Sequence, residues 1–230
     1  MTKPNKLDEP NKLGTPEILA AIADGLGDWR RMAQPVVARY RVPGIEQGAA
    51  FVTAVAEAAR AAGREPEIRL GAGFAEVALC TVGADGGRWV TPADLDLART
   101  VSDLAAAHAL PATPGDITQL ELGLDATDFD RVGAFWSALL TGSPDHVVHG
   151  DVMDPAQRVP NVWFQRTDAH ETPRQRWHPD VWLAPEEAEP RIRAALAAGG
   201  ELVVRYDASC TVLADPEGNR VCVCTAEGRE

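Results

Sequence analysis

Four stretches of this sequence carry polar or aromatic residues at every second position, with apolar residues between them. His178, Asp180 and Trp182 alternate with Trp177, Val181 and Leu183, and Gln119, Glu121 and Gly123 alternate with Leu120, Leu122 and Leu124. Trp163 and Gln165 alternate with Val162 and Phe164, and Cys222 and Cys224 with Val221 and Val223. A strand sends successive side chains to opposite faces, so each set shares one surface. The apolar set should pack under a helix, which leaves the other set to meet a ligand. Imidazole exchanges protons near neutral pH and ligates metals, carboxylates act as acids, bases or hard ligands, and thiols bind transition metals. Indoles beside such groups make the usual wall of a small-molecule pocket.

A second group lies earlier, in Arg64-Glu65-Pro66 and in Thr91-Pro92-Ala93-Asp94. Glu65 becomes an acid only if burial against an aromatic ligand lifts it toward neutrality. Arg64 stays charged and is a poor proton donor, and Arg64 with Glu65 reads equally well as a solvated surface pair.

The elements that must hold these residues follow from the pattern. A polar arm over 1–14 repeats Pro-Asn-Lys-Leu, and Thr15-Pro16-Glu17 then opens a helix with Thr15 as its cap and Pro16 at its first position. A strand pair follows at 29–32 and 36–42. Apolar residues at 51, 52, 55, 56, 59 and 62 have helical spacing within 45–62. Strands at 67–71 and 74–81 come next, and the box at Thr91 starts a helix running to about His108. Pro111-Ala112-Thr113-Pro114-Gly115 breaks helix and strand alike and reads as a linker. Beyond it a βαβββ pattern occurs twice. The first copy has a strand at 117–124, a helix capped by Thr127 running to Thr141, and strands ending at 159–165. The second has a strand at 176–183, a helix over about 187–198 with Pro190 in its first turn, and strands at 201–206, 209–214 and 219–225. The expected class is α+β, with an α-β-β-α-β-β-α domain over 15–110, the linker over 111–115, and a paired βαβββ domain over 116–227.

Composition narrows the function. Hydrophobic residues make 45% of the chain and charged residues 24%, an ordinary globular balance. The 22 basic and 34 acidic side chains give a net charge of −12, and residues 113–230 hold 10 basic against 20 acidic. Such a surface is a poor match for a phosphate backbone, so nucleic acid is not an expected partner. Lysine stops at Lys12, which excludes Schiff-base chemistry in the folded body. No apolar run approaches the roughly 18 residues that span a bilayer, the start is polar, and four cysteines are too few for a disulfide scaffold. A cytoplasmic protein with no membrane partner is expected.

Residues 15–110 resemble a pterin-4a-carbinolamine dehydratase domain. The features that carry the resemblance are the order of elements, Phe51-Val52 in the long helix, Pro66 after it, the Val77-Ala78-Leu79 strand, and Thr91-Pro92-Ala93-Asp94-Leu95-Asp96-Leu97-Ala98. In that family a His-His-Pro follows the long helix and a third His ends the next long strand. Those imidazoles hold and protonate the departing 4a-hydroxyl. Here Arg64-Glu65-Pro66 and Cys80-Thr81-Val82 stand in their place, so imidazole is missing at 64, 65 and 82, and only Asp94 keeps its position. The resemblance implies a degenerate domain, with a pterin as a candidate ligand, or a domain kept as an oligomer or protein interface. If it is active, Glu65 and Asp94 are its catalytic residues.

Residues 116–225 resemble a glyoxalase/bleomycin-resistance domain of the vicinal oxygen chelate superfamily, on Phe135-Trp136-Ser137-Ala138-Leu139-Leu140, Trp163-Phe164-Gln165 and Leu213-Ala214-Asp215-Pro216-Glu217-Gly218-Asn219. The resemblance implies an open barrel with helices outside and ligand inside. Gln119, Glu121, Trp163, Gln165, His178, Asp180, Trp182 and Cys222 would line it, with Arg64 as a contact in the other domain. Metal-dependent relatives place ligands where Gln119, Gln165, His178 and Cys222 stand. Only His178 and Cys222 can ligate a transition metal, so no metal is expected unless Glu121 and Asp180 complete an irregular set. Three functions stay open: a catalytically silent binder of a small molecule, an enzyme (a dehydratase through Glu65 or a metal-assisted lyase or isomerase), and a protein that sequesters a cationic drug. Both resemblances imply a homo-oligomer, and no cofactor is assigned.

Overall fold

The computed structural model describes residues 11–168, 177–197, 199–214 and 220–228. The first ten residues of the arm, Arg176 of the expected strand, Ala198 of the expected helix and the turn at 215–219 lie outside the described residues. The chain forms two compact units. One runs to Ala84 and resumes over Arg88–Ile117, and the other comprises Asp85–Gly87 and Thr118–Gly228.

The first unit contains α1 (Thr15–Ala23), β1 (Trp29–Arg31), β2 (Val36–Arg41), α2 (Ile45–Ala62), β3 (Glu67–Gly71), β4 (Phe74–Leu79), β5 (Thr81–Val82), β6 (Arg88–Trp89) and α3 (Pro92–Ala107). The cap of α1 is Gly14 rather than Thr15, and the Glu17 carboxylate accepts the Gly14 N–H at 2.7 Å. Helix α2 ends at Gly63, whose left-handed φ of 63° suits a residue without a side chain. Strands β1-β2-β4-β3 form an antiparallel sheet in that order. Val36, Ala38 and Tyr40 on β2 face Leu79, Val77 and Ala75 on β4. Those six side chains are buried with Phe51, Val55 and Ala59 of α2 and Ala98, Val101 and Ala105 of α3. The strand expected through residue 81 stops at Leu79, and Thr81-Val82 instead pairs with Arg88-Trp89 in a separate hairpin. The segment read as a linker is bonded to β2: Arg41 N–H reaches the Pro111 carbonyl at 2.9 Å and Thr113 N–H the Arg39 carbonyl at 2.7 Å.

The second unit contains β7 (Thr118–Ala126), α4 (Phe129–Thr141), β8 (Val147–Val148), β9 (Asp151–Val152), β10 (Val162–Arg166), β11 (Trp177–Leu183), α5 (Pro185–Ala197), β12 (Glu201–Arg205), β13 (Cys210–Ala214) and β14 (Arg220–Cys224). All ten strands and helices follow the doubled βαβββ order. The strands make one sheet in the order β12-β13-β14-β11-β7-β10-β9-β8. Within each copy the last strand pairs in parallel with the first, β10 with β7 and β14 with β11. The copies join where β7 and β11 run antiparallel.

One face of this sheet is apolar. Leu124, Ala126, Val152, Val162 and Phe164 pack with Leu122 and with Phe129, Val132, Trp136 and Leu140 of α4. Leu183, Leu213 and Val223 pack with Val181, Val221 and with Ala188, Ile192 and Leu196 of α5. Leu120 departs from expectation: it belongs to neither cluster and is 43% exposed, because α4 covers only the Leu122–Ala126 end of β7. Two helix details also differ. Helix α4 begins after Asp128, whose carbonyl accepts the Val132 N–H, so the cap falls one residue beyond Thr127. Helix α5 begins at Pro185, which puts Pro190 in the second turn, where it supplies no N–H to the Glu186 carbonyl. Gly199 and Gly200 close α5 with N–H bonds to the Leu196 and Ala195 carbonyls, Gly199 at φ 99°.

Phe51 is fully buried, with its ring edge-on to Tyr40 at 5.4 Å. Phe51→Ala should therefore cost about 3–5 kcal/mol of stability, the range for emptying a closed aromatic site. Urea unfolding followed by circular dichroism measures it.

Candidate functional site

The face of the second unit's sheet opposite its helices holds a connected polar–aromatic cluster. Glu121 on β7 and Asp180 on β11 are direct cross-strand partners, and both are buried. Buried carboxylates require donors. Asp180 Oδ2 accepts the Trp163 indole N–H at 2.7 Å, and Oδ1 lies 3.1 Å from His178 Nδ1. Glu121 Oε2 accepts the Trp182 indole N–H at 3.0 Å, and Oε1 accepts the Asn161 amide at 3.3 Å. Each acid thus fixes one indole.

His178 is the centre of the cluster. A carboxylate only accepts, so Nδ1 carries the proton in its bond to Asp180. That bond raises the His178 pKa above the ordinary imidazole value, against the opposing effect of burial. Its ring stands edge-on to Trp163 at 4.9 Å, and Nδ1 is 3.7 Å from Cys222 Sγ. Nε2 is buried without a hydrogen-bond partner among the described residues. Gly123 makes the ring's position possible, since a Cβ there would fall 2.4 Å from His178 Cε1 and 2.9 Å from Trp163 Cζ2. The Cys222 thiol is pushed well above the usual range by its bond with Cys210, by burial and by the charge of Asp180.

Of the residues expected on this face, the structure brings Glu121, Trp163, His178, Asp180, Trp182 and Cys222 into contact. Gln119 lies beside Trp182 in register. Gln165 does not join them: it is exposed near the end of β10, opposite Asp125. Three members were not foreseen. Asn161 precedes β10, Cys210 opens β13, and Asp151 sits on a two-residue strand next to the buried Val152. Burial, helped by the charge of Glu121 and opposed by His149, pushes the Asp151 carboxyl up to about 6. The alternation with Val152 was a signal for Asp151, but two residues are too few to set a period.

Of the residues at the three expected imidazole positions in the first unit, Val82 is 61% exposed and Glu65 is also exposed. Arg64 does not pair with Glu65. Its Nη1 donates to Thr81 Oγ1 at 2.9 Å, and Thr81 donates to Asp94 Oδ2 at 2.8 Å. The same Asp94 oxygen accepts the Thr91 N–H and hydroxyl at 2.8 and 2.7 Å. Asp94 thereby completes the capping box of α3 from its third position, with Thr91 as the cap and three donors on one carboxylate oxygen. Arg64 Nε is buried without a partner among the described residues.

Two family models divide the sequence between them. Residues 11–104 match the model for pterin 4 alpha carbinolamine dehydratase, and residues 121–224 match the glyoxalase-like domain. The chain is a fusion of a pterin-dehydratase-like domain and a glyoxalase-like domain. Among solved structures it is similar to a transcriptional coactivator/pterin dehydratase from Brucella melitensis, at 22% identity, over 41% of this chain and 99% of that one, with a TM-score of 0.37. No curated protein matches the chain.

The metal that the glyoxalase-like fold implies has a donor set here. Nitrogen, oxygen and sulfur ligand atoms of His178, Asp180 and Cys222 lie within 4.8 Å of one another. Imidazole, carboxylate and thiolate are ligand types that a divalent transition metal takes, so the set fits in kind. Glu121, the other acid considered, is engaged by Trp182 and Asn161 instead.

Two substitutions probe this geometry. Gly123→Ala drives a methyl group into the His178 and Trp163 rings, which their neighbours hold in place, and should cost about 1–3 kcal/mol in an unfolding titration. Asp180→Asn should lower the His178 titration midpoint, read from its ring resonances by NMR. Since the folded value is raised, the stability from imidazolium is present in full below about pH 6.5 and fades as pH climbs through the folded value. The wild-type advantage over Asp180→Asn should shrink across that window.

Proposed function

We propose that the chain is a small-molecule-binding protein whose ligand lies on the inner face of the glyoxalase-like domain, and that the pterin-dehydratase-like domain is not a dehydratase. The observation that carries the first part is the pair of buried carboxylates, each holding an indole, with the Trp163 indole against His178. Such a wall is rigid before any ligand arrives, so little ordering has to be met on binding. With Glu121, Asp180 and Asp151 on one face, the field favours a ligand carrying positive charge. The internal donors already occupy the carboxylate oxygens, so the acids act through charge while the indole faces supply contact.

The reading of the first domain rests on Arg64. A guanidinium stays protonated at any ordinary pH and cannot hand a proton to a leaving hydroxyl. Full-length protein should leave the dehydration of a 4a-hydroxytetrahydropterin at its spontaneous rate, and acceleration that Glu65→Gln removes would overturn this.

A second reading is favoured by the His178–Asp180–Cys222 donors, which would hold a divalent ion able to polarise a substrate oxygen. One experiment separates the two. Full-length protein isolated from its own host is weighed by native mass spectrometry and assayed for metals. An organic mass lost in Asp180→Asn supports the binder, one equivalent of transition metal establishes the second reading, and neither sinks both.

A further inference from the structure

Three of the four cysteines lie together on β13 and β14, and the functional reading above uses only Cys222. Cys210 faces Cys224 directly across the antiparallel pair, and Val212 faces Cys222. The Thr225 N–H bonds to the Ser209 carbonyl, which puts Cys210 and Cys224 at the next, non-hydrogen-bonded position. There the Cα atoms stand about 4.5 Å apart and the side chains lean together. A disulfide needs roughly 4.4–6.8 Å between Cα atoms, so this pair is within reach without backbone movement. Cys210 and Cys222 are diagonal, at a separation of about 7–8 Å, which is too far. All three carry thiols outside any disulfide among the described residues, with Cys224 buried and Cys210 partly accessible. Cys210 also hydrogen-bonds Cys222, which in turn touches His178.

We infer that Cys210 and Cys224 form a reversible disulfide under peroxide, a modification site on the same face as the ligand cluster. The accessible Cys210 sulfur attacks a peroxide oxygen, giving a sulfenic acid and one water. The Cys224 sulfur then displaces the hydroxyl as a second water, and the S–S bond forms. Two thiols lose two electrons and two protons, and one hydrogen peroxide becomes two waters. A dithiol reductant reverses the step by exchange. Forming the bond withdraws Cys210 from Cys222, which removes the thiol that holds Cys222 beside His178.

The test uses the full chain with hydrogen peroxide as probe. Intact mass should fall by about 2 Da, the two hydrogens lost on oxidation, and dithiothreitol should restore it. Cleavage after Arg205 and Arg220 separates Cys210 from the segment holding Cys222 and Cys224. Fragmentation of the linked peptides should place the bond at Cys224. Cys210→Ser and Cys224→Ser should abolish the mass loss, while Cys222→Ser and Cys80→Ser keep it. A bond mapped to Cys222 or Cys80, mass gain by sulfinic acid in place of the loss, or no change in mass overturns the inference. The wild-type map decides even where a serine variant fails to fold.

Discussion

Everything on the inner face of the second unit depends on the register of one antiparallel pair. From Trp177 opposite Leu124 to Leu183 opposite Thr118, β7 and β11 pair without a break at the centre of the eight-stranded sheet. That register sets Glu121 beside Asp180 and Gly123 beside His178. A one-residue slip of either strand would turn its acid toward the helices and its apolar row to the opposite face. The slip is blocked from the apolar side, where Leu122 and Leu124 are seated against α4, and Val181 and Leu183 against α5. Hydrophobic packing on one face therefore fixes electrostatics on the other.

This coupling explains what the sequence made legible. The alternation of Trp177, Val181 and Leu183 with His178, Asp180 and Trp182 contains both halves of the constraint, so that strand's two faces follow from seven residues. The doubled βαβββ order is legible for the same reason: each copy repeats the alternation around one amphipathic helix. Leu120 was misjudged because alternation gives the face of a side chain but not how far a helix extends over it. Asp151 and Asn161 were missed because they precede or occupy strands too short to show a period, and their partners come from residues 30 to 40 positions away. The pairing of Cys210 with Cys224 depends on the β13–β14 register, which the cysteine spacing alone does not specify.

In the first unit a hydrogen-bonded network ties the end of α2 to the start of α3. Thr91-Pro92-Ala93-Asp94 reads as a capping box, and in the structure Asp94 does that work with a single oxygen holding Thr91 and Thr81. Arg64 ties into the same group through Thr81, linking the residue after α2 to the start of α3. A buried hydrogen-bonded chain of this kind is costly to interrupt, because removing one member strands the others. Selection for the cap and for the α2–α3 core would keep this network regardless of any reaction.

The second unit faces the opposite difficulty, since it gathers acids rather than dispersing them. Like charges on directly opposed strand positions repel, and burial increases the repulsion. Glu121 and Asp180 meet this by drawing four donors between them: two indoles, an amide and an imidazole. Charge-assisted bonds of this kind are the stronger class, which is how both acids are buried with their oxygens paired. Asp151 marks where that solution ends. It shares the field of Glu121, and burial with that field moves its carboxyl up to about 6. As pH falls through that value Asp151 gives up its charge, and His178, whose pKa is raised, takes one on, so this face becomes less negative. Its attraction for a cation must then weaken with acidification.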